Sequence, residues 1–270
     1  MAESLLLNFD LEEFVAREFG VDVSKKEVYD TGRNGLIRLI KVLKEFPESK
    51  CTFFTTFTFS DYCGKEINQL IDMGHEIGLH GYTHEQDYRK MNIEEIKKSL
   101  AIAKKGIEKS FGIKITGFRA QQMRMIPYNI LRDLGIKYDS SLHPTYVPGY
   151  YNAMFKSRKM FKKDDVFVIP VTVTPLFRLP FSWIWFRNVG LTYAKFCTKV
   201  AGMDSDYINI YFHPWEFVDI DKKIYREKMM GLIMRNTGEK MAGMMKNYIQ
   251  WSLDSGLKMR TIGEYLENEG

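Results

Sequence analysis

The chain has little cysteine, little net charge and no long apolar run. Three cysteines occur in 270 residues, at Cys51, Cys63 and Cys197. Their odd number and wide spacing argue against a disulfide framework and against a cysteine-based zinc site. No stretch of about 18 residues is both apolar and uncharged, so a membrane-spanning helix is not expected. The first ten residues lack the basic and apolar regions of a secretory signal. We therefore expect a protein of the reducing cytoplasm.

The small net charge argues against one class of function, nucleic-acid binding. A charge of +5, from 39 basic and 34 acidic residues, is too small for a typical nucleic-acid-binding protein. Basic residues cluster locally at Lys156, Arg158, Lys159, Lys162 and Lys163. We interpret this cluster as a solvated loop, and binding of a phosphate or an anionic membrane surface is the alternative.

Apolar runs of strand length alternate with amphipathic helical patterns. Strands are predicted at 5–9, 51–57, 76–79, 115–118, 137–138, 166–173, 207–212 and 257–262. Helices are predicted at 35–46, 62–73, from Asn92 onward, 128–134 and 239–254. Such alternation predicts an α/β fold with a mostly parallel sheet. Six or seven units without a repeat or linker suit a single domain over residues 1–270, built as a closed or nearly closed barrel.

Polar residues follow several predicted strands directly. They are Asp10 and Glu12, His80 and His84, Arg119, Asp139, and His213 with Glu216. The carboxyl ends of parallel barrel strands lie on one rim, where such barrels carry their chemistry. The sequence therefore predicts one site built from these residues.

Two histidines four residues apart can share a metal if residues 81–84 form one helical turn. Histidines at this spacing also cap helices or line cores. His80 and His84 alone therefore do not distinguish a metal site from a structural role. Asp10 and Glu12 favour a metal, because two histidines and a carboxylate are the usual ligands of a hydrolytic metal site. The alternative for the two acids is an ordinary loop, and we interpret Glu13 as an acid in the first turn of a helix.

Five segments, in this order, resemble the polysaccharide deacetylase superfamily, the chitooligosaccharide deacetylase-like enzymes of carbohydrate esterase family 4. They are Asn-Phe-Asp-Leu-Glu at 8–12, His-Glu-Ile-Gly-Leu-His-Gly-Tyr-Thr-His-Glu at 75–85, Gly-Phe-Arg-Ala at 117–120, Tyr-Asp-Ser-Ser-Leu at 138–142 and Tyr-Phe-His-Pro-Trp-Glu at 211–216. The resemblance spans about residues 5–216. It implies a distorted (β/α) barrel and metal-assisted hydrolysis of the N-acetyl groups of amino sugars.

The resemblance also implies roles for single residues. Asp10 matches the general base, and Arg119 matches the arginine that pairs with it. His80 and His84 match metal ligands, and Glu12 stands where the family more often has aspartate as the third ligand. His213 matches the general acid. The expected cofactor is a divalent metal, zinc before other transition metals.

Asp139 has two interpretations, which the sequence leaves equal: it orients His213, or it caps a turn. The sequence also departs from the family at Gln121, where proline is usual, and at Tyr211, where leucine is usual. His75 is interpreted as a buried, hydrogen-bonded histidine and His143 as an exposed loop residue. Glu216 is interpreted as an acid of the substrate groove or as a salt-bridge partner, and the sequence does not distinguish the two.

The Asp-x-Glu and His-Pro-Trp-Glu forms resemble cytoplasmic members associated with exopolysaccharide and lipid-linked sugars. The expected partner is thus an amino-sugar glycan or a lipid-linked saccharide, with peripheral contact to the inner face of a membrane. The aromatic segment 175–190 is expected to flank the site mouth and to select a hydrophobic or lipid-carried substrate, and core packing is the alternative. The oligomeric state stays open.

Three rival functions remain. The first is a metal-independent or formyl-directed C–N hydrolase of the same fold. The second is a catalytically inactive carbohydrate-binding member, and the third is a structural module stabilised by a metal.

Overall fold

The structure, a computed structural model, describes residues 2–14, 23–148, 151–220 and 228–269. The strands are β1 (Ser4–Leu11), β2 (Thr52–Thr55), β3 (Glu76–Leu79), β4 (Gly117–Phe118), β5 (Tyr138–Asp139), β6 (Tyr146–Val147), β7 (Tyr151–Asn152), β8 (Phe161–Lys163), β9 (Val166–Val168), β10 (Tyr207–Phe212) and β11 (Lys258–Met259). The helices are α1 (Lys25–Leu43), α2 (Phe57–Tyr62), α3 (Gly64–Asp72), α4 (Ile93–Phe111), α5 (Tyr128–Asp133), α6 (Trp183–Val189), α7 (Leu191–Ala201), α8 (Lys228–Ile233), α9 (Glu239–Asp254) and α10 (Ile262–Glu269). Short 3-10 turns lie at Tyr88–Lys90, Gln121–Met123 and Pro214–Phe217.

The sheet is curled and mostly parallel. Its order is β10-β1-β2-β3-β4-β5-β9-β8, and β11 pairs with the first residues of β1. Only the β8–β9 pair of this sheet is antiparallel among the described strands. Beyond β9 the chain crosses to the far edge, where the Thr172 N–H donates to the Asn209 carbonyl of β10 at 2.7 Å. The predicted distorted (β/α) barrel is confirmed.

Hydrophobic pattern and caps explain the elements that carry the site. Every residue of β1 is buried, as its continuous apolar run predicts. Helix α4 begins after Asn92, whose side chain accepts from the Glu95 N–H in a capping box. Helix α1 begins about ten residues before the prediction. A second capping box, between Ser24 and Glu27, starts it ahead of the apolar residues.

Several predicted boundaries are wrong. The strand predicted to Phe57 ends at Thr55, because the Thr56 side chain accepts from the Phe59 N–H and starts α2. The strand predicted over 257–262 shrinks to β11, since α10 begins at Ile262. Pro175 and Pro180 precede the segment that forms α6, a helix the sequence pattern did not predict. Within the described residues, none of the helices has the length and apolarity that crossing a bilayer requires.

Helix α1 packs backbone to backbone against two parts of the chain. A Cβ added at Gly32 would lie 2.9 Å from the carbonyl oxygen of Glu12. One added at Gly35 would overlap the carbonyl of Pro214. Both positions therefore require glycine, because only a residue without a side chain permits this approach.

Candidate active site

The predicted polar residues gather at the carboxyl ends of the parallel strands. Glu12 follows β1, His80 follows β3, Arg119 follows β4 and His213 follows β10, while Asp139 is the last residue of β5. All five side chains are buried, as are Asp10 and His84. Buried polar groups need partners, so their hydrogen bonds define the site.

One carboxylate oxygen faces both histidines of the 80–84 motif. Glu12 Oε2 lies 3.0 Å from Nε2 of His80 and 3.0 Å from Nε2 of His84. The connecting residues do not form the helical turn that the spacing suggested: the chain is irregular there, with Gly81 at φ +104°. An irregular loop, and not a helical turn, therefore brings the two imidazoles to the same oxygen of Glu12.

The second nitrogen of His80 bonds to a group that only accepts. Nδ1 lies 2.8 Å from the backbone carbonyl oxygen of Arg119. A carbonyl only accepts, so Nδ1 carries a hydrogen, and in the neutral ring the lone pair of Nε2 then faces the Glu12 carboxylate. Two lone pairs cannot face each other at 3.0 Å without a cation between them, either a proton or a metal ion.

The donor atoms of Glu12, His80 and His84 are of the kinds that bind a metal ion. Two imidazole nitrogens and one carboxylate oxygen converge, and a histidine that binds metal usually donates its other N–H to a carbonyl. Among residues 2–14, 23–148, 151–220 and 228–269, no group of three such side chains is already spaced around a common point as metal ligands. Glu12 instead contacts the rings directly. Burial alone would raise the pKa of Glu12, but the charge of His84 and hydrogen bonds from both histidines lower it well below its ordinary value.

Glu13 also belongs to the site, which corrects its interpretation as an acid in a helical first turn. Residues 12–14 are irregular, and residues 15–22 lie outside the described residues. Glu13 Oε1 accepts from the Thr83 hydroxyl at 3.2 Å and from the His84 N–H at 3.3 Å. The carboxylate therefore holds the loop that carries His84, and burial raises its pKa.

Gln121, which replaces the usual proline, holds the same loop from the other side. Its side-chain amide donates to the Thr83 carbonyl at 2.6 Å. The amide nitrogen would also lie 2.6 Å from a Cβ added at Gly81. The departure from the family pattern thus supplies a contact between the arginine motif and the histidine motif.

Asp10 is paired with Arg119 below the histidines. Arg119 Nη1 donates to Asp10 Oδ1 at 2.9 Å, and both groups are buried. The guanidinium also donates to the carbonyl and the hydroxyl of Ser140 at 2.9 and 2.8 Å, and it lies over the Phe54 ring at 4.5 Å. These contacts fix the guanidinium, which in turn holds the Asp10 carboxylate in place through a charge-assisted hydrogen bond.

His213 has a carboxylate partner three residues along the chain. Glu216 Oε1 accepts from the His213 backbone N–H at 2.7 Å and lies 3.1 Å from Nδ1 of the same residue. The other oxygen of Glu216 accepts from Arg187 Nε at 2.5 Å. Nε2 of His213 points back to Glu12 Oε1 at 3.7 Å. Burial lowers the pKa of His213, yet the Glu216 hydrogen bond and the charges of Glu12 and Glu216 raise it above its ordinary value.

Asp139 does not contact His213 in the described part of the chain, so the prediction that it orients His213 is wrong. Its Oδ1 accepts from the N–H of Ser141 at 3.2 Å and from the hydroxyl of the same residue. The turn-capping alternative agrees with these bonds. Burial raises the pKa of Asp139 to about 7, against the lowering effect of Ser141 and Arg119. The ion pair with Arg187 agrees with the salt-bridge interpretation of Glu216. The contact with His213 was not predicted, although the i, i+3 spacing was a usable signal.

Aromatic rings enclose His213. Trp215 stacks on it at 5.5 Å between centroids, while Trp183 and Tyr211 meet it edge-on at 5.4 and 5.7 Å. Trp183 is half-buried, and its Nε1 has no hydrogen-bond partner among the described residues. Its φ is +48°, a conformation that strains a bulky residue and often marks a functional site. The end of the 175–190 segment thus lies at the site, while Phe181 is enclosed in the core.

Of the two remaining histidines, one lies as the sequence predicted and the other does not. His75 is buried, and its Nδ1 accepts from the Cys51 N–H at 3.2 Å, as predicted. His143 is buried rather than exposed. Its ring meets Trp185 and Tyr211 edge-on at 6.3 and 6.0 Å, and these contacts help to bury it.

Comparison with known proteins agrees with the resemblance seen in the motifs. Residues 27–138 match the family model for polysaccharide deacetylase. Over 125 residues the chain is 30% identical to a peptidoglycan deacetylase of Helicobacter pylori. The matched stretch covers 44% of this chain and 41% of that protein. The chain thus spans about two fifths of the length of that relative. The predicted resemblance is confirmed, and the matching family is one of hydrolases that act on an amide bond.

Solved structures with low sequence identity share the fold. A Mycobacterium smegmatis protein assigned as a polysaccharide deacetylase has a TM-score of 0.68 at 16% identity, covering 98% of this chain and 89% of that chain. An allantoinase has a TM-score of 0.65 at 17% identity, with 97% and 88% covered. A Bacillus anthracis pseudoenzyme of carbohydrate esterase family 4 has a TM-score of 0.57 at 15% identity, with 97% and 65% covered. At these identities the likeness extends to the fold alone.

Proposed function

We propose that the protein is a metal-dependent hydrolase that removes an N-acetyl or similar N-acyl group from an amino sugar. The observation that supports this proposal best is the approach of two imidazole nitrogens to one oxygen of Glu12. The hydrogen on Nδ1 of His80 turns the lone pair of Nε2 toward that oxygen, so the three groups suit a cation. Glu12, His80 and His84 would hold a divalent metal, with zinc the first candidate for this donor set.

A bound divalent ion would polarise the acyl carbonyl and make a bound water more acidic. Asp10 is the proposed general base, which takes a proton from the attacking water. Arg119 donates to this carboxylate at 2.9 Å in a buried pair and so holds the base in place. The same bond fixes the direction in which the carboxylate accepts that proton.

His213 is the proposed general acid. An amide nitrogen is a poor leaving group until it is protonated, and a protonated imidazole can supply that proton. Glu216 stabilises the protonated ring through Nδ1, and Nε2 faces Glu12 on the side where substrate would bind. Glu216 is thus a positioning residue, itself held by Arg187.

The proposed substrate class is an amino-sugar glycan or a lipid-linked saccharide. The named activity of the Helicobacter relative, which acts on peptidoglycan, supports an N-acylated glycan. Trp183 beside His213 supports it too, because an aromatic face and an indole N–H suit a sugar ring. A cytoplasmic location stays part of the proposal.

Metal analysis paired with product release tests the proposal. Purified protein is expected to contain a divalent metal and to release acetate from N-acetylhexosamine oligomers, peptidoglycan fragments or lipid-linked sugars. Chelation should stop turnover, and added zinc should restore it. Turnover that chelators leave unchanged would favour the metal-independent hydrolase, and release of formate would favour the formyl-directed one. Glycan binding without turnover in the metal-loaded protein would favour the inactive member.

A further inference from the structure

Two neighbouring loops expose an unusual amount of apolar surface. Phe155, Leu176 and Phe177 are 92%, 89% and 78% exposed, the highest values among the exposed large hydrophobic residues. Tyr146 and Leu179, on the same two loops, are 51% and 39% exposed. Exposed apolar side chains are common singly, but their concentration marks a contact surface.

Hydrogen bonds join the two loops. Arg178 Nη1 donates to the Lys156 carbonyl at 3.0 Å, and the Thr145 hydroxyl donates to the Arg178 carbonyl at 2.7 Å. Leu176 and Arg178 have φ values of +58° and +54°, so the loop around Phe177 is held in a conformation that L-residues rarely adopt. The apolar side chains are therefore presented by a defined structure.

Both loops leave the barrel at the rim that carries the site. Residues 140–160 connect the end of β5 to the start of β8, and residues 169–182 follow β9. Strands β5 and β9 are parallel, so both loops start from the same rim. The second loop leads into Trp183, whose ring contacts His213.

The surroundings of the apolar side chains are basic. Lys156 and Lys159 are exposed; no ion pair of either is seen among the described residues, and the charge of Lys159 helps to lower the pKa of Asp204. Arg178 adds a third, partly exposed cation. Arg158, in contrast, is paired with Asp204 at 2.8 Å and contributes little free charge.

We propose that the tips of these two loops, the docking loops 153–156 and 175–179, bind the surface of an anionic phospholipid bilayer. A bilayer suits the observations better than a peptide does. The side chains project from two tips instead of lining a groove, and the lysines beside them complement anionic headgroups. Aromatic and leucine side chains flanked by cations enter the boundary between headgroups and acyl chains. Docking in this way would hold the rim of the active site at the membrane face.

Vesicle co-sedimentation tests this directly, independently of turnover. Wild type is mixed with phosphatidylcholine vesicles that contain about one third phosphatidylglycerol, or none, at low and high salt. The variant Phe155→Ser/Leu176→Ser/Phe177→Ser is compared with Phe196→Ser/Met203→Ser, whose side chains are 59% and 74% exposed outside the docking loops. A third variant, Lys156→Glu/Lys159→Glu, tests the charges.

Wild type is expected to sediment with the anionic vesicles, and less so with neutral vesicles or in high salt. The triple variant should lose at least about tenfold in partitioning, and the matched control should not. The lysine variant should also lose about tenfold or more. Turnover of a soluble substrate should survive in all three, so failure here leaves the proposed hydrolase intact.

Two results would overturn the proposal. One is wild type that does not bind anionic vesicles, or binding that the triple variant keeps. The other is a dimer in analytical ultracentrifugation that the triple variant abolishes without any vesicle binding, since the loops would then contact a second copy of the chain.

Discussion

The two halves of the site are built in different ways. In the metal half, Glu12, His80 and His84 come from two short motifs, and the backbone carbonyl of Arg119 orients a histidine. In the acid half, His213 depends on Glu216, which in turn needs Arg187 from α6. The proposed metal half therefore joins motifs that lie 68 residues apart, whereas the acid half combines a contact within one turn with a buried charge pair between residues 29 apart.

The largest expected effect separates base from ligand at the end of β1. Asp10→Asn should lower kcat by about a thousandfold while the protein keeps its metal, because only proton transfer is lost. Glu12→Ala should lose metal and turnover together. Metal analysis and acetate release distinguish the two variants. If Asp10→Asn lost the metal while Glu12→Ala changed neither property, the two roles would have to be exchanged.

The second prediction tests the dependence of the acid half on Glu216. Glu216→Gln should lower kcat by about ten- to a hundredfold with metal content unchanged, since Nδ1 loses its charged partner. It should also lower the free energy of unfolding by about 3 kcal/mol, because the Arg187 charge stays buried without a counter-charge. Denaturant titration and the pH profile of kcat check the two effects. A folded Glu216→Gln protein with an unchanged pH profile would remove Glu216 from the mechanism.

Asp139→Asn is the matched control for Glu216→Gln, because Asp139 lies on the same rim and does not contact His213 in the described part of the chain. Its kcat should stay close to wild type. Because burial raises the Asp139 pKa to about 7, the folded state binds a proton that the unfolded state has already released. The contribution of this carboxyl group to the free energy of unfolding should therefore fall as pH rises from about 4 to 7, by on the order of 3 kcal/mol. The stability of wild type relative to Asp139→Asn should fall by that amount over the same range. A wild-type stability that rises across the same range in denaturant titrations, with no difference from the variant, would contradict this.

The smallest effect concerns the aromatic wall. Trp183→Phe keeps a ring beside His213 but removes the Nε1 donor, which has no partner within the described chain. KM should rise about three- to tenfold with kcat nearly unchanged, as expected for one lost hydrogen bond to substrate. Steady-state kinetics on a soluble glycan measure it. An unchanged KM would place the indole N–H outside the sugar-binding surface.

The sequence predicted the metal half better than the acid half for a physical reason. Strand ends such as Asp10 and His80 follow apolar runs, so topology alone brings them to one rim. The partner of His213 depends instead on how the turn at Pro214–Phe217 directs the Glu216 side chain inward. Neither that direction nor the position of Arg187 on α6 has a periodic signal. Of the two interpretations of Asp139, the structure agrees with turn capping and not with a contact to His213.

The secondary-structure predictions also succeeded in some regions of the chain and failed in others. Long periodic or capped segments such as α4 were predicted well, because local propensity and burial agree there. The short helix α6 was missed because its aromatic composition and the nearby Pro180 resemble a loop. The start of α1 was missed because its first turns are polar, and the capping box of Ser24 and Glu27 was the signal that would have found it.

Helix α1 has a consequence for how the proposed active site can adapt to a substrate. Its backbone touches the Glu12 carbonyl through Gly32 and the Pro214 carbonyl through Gly35, one contact in each half. Three residues of helix rise only about 4.5 Å, and a helix resists stretching. The spacing between the proposed ligand and the proposed acid is thus set by a rigid element and does not adjust to the substrate. Larger or smaller sugars have to be accommodated by the loops at the rim, so substrate range can change there while the reacting groups keep their distance.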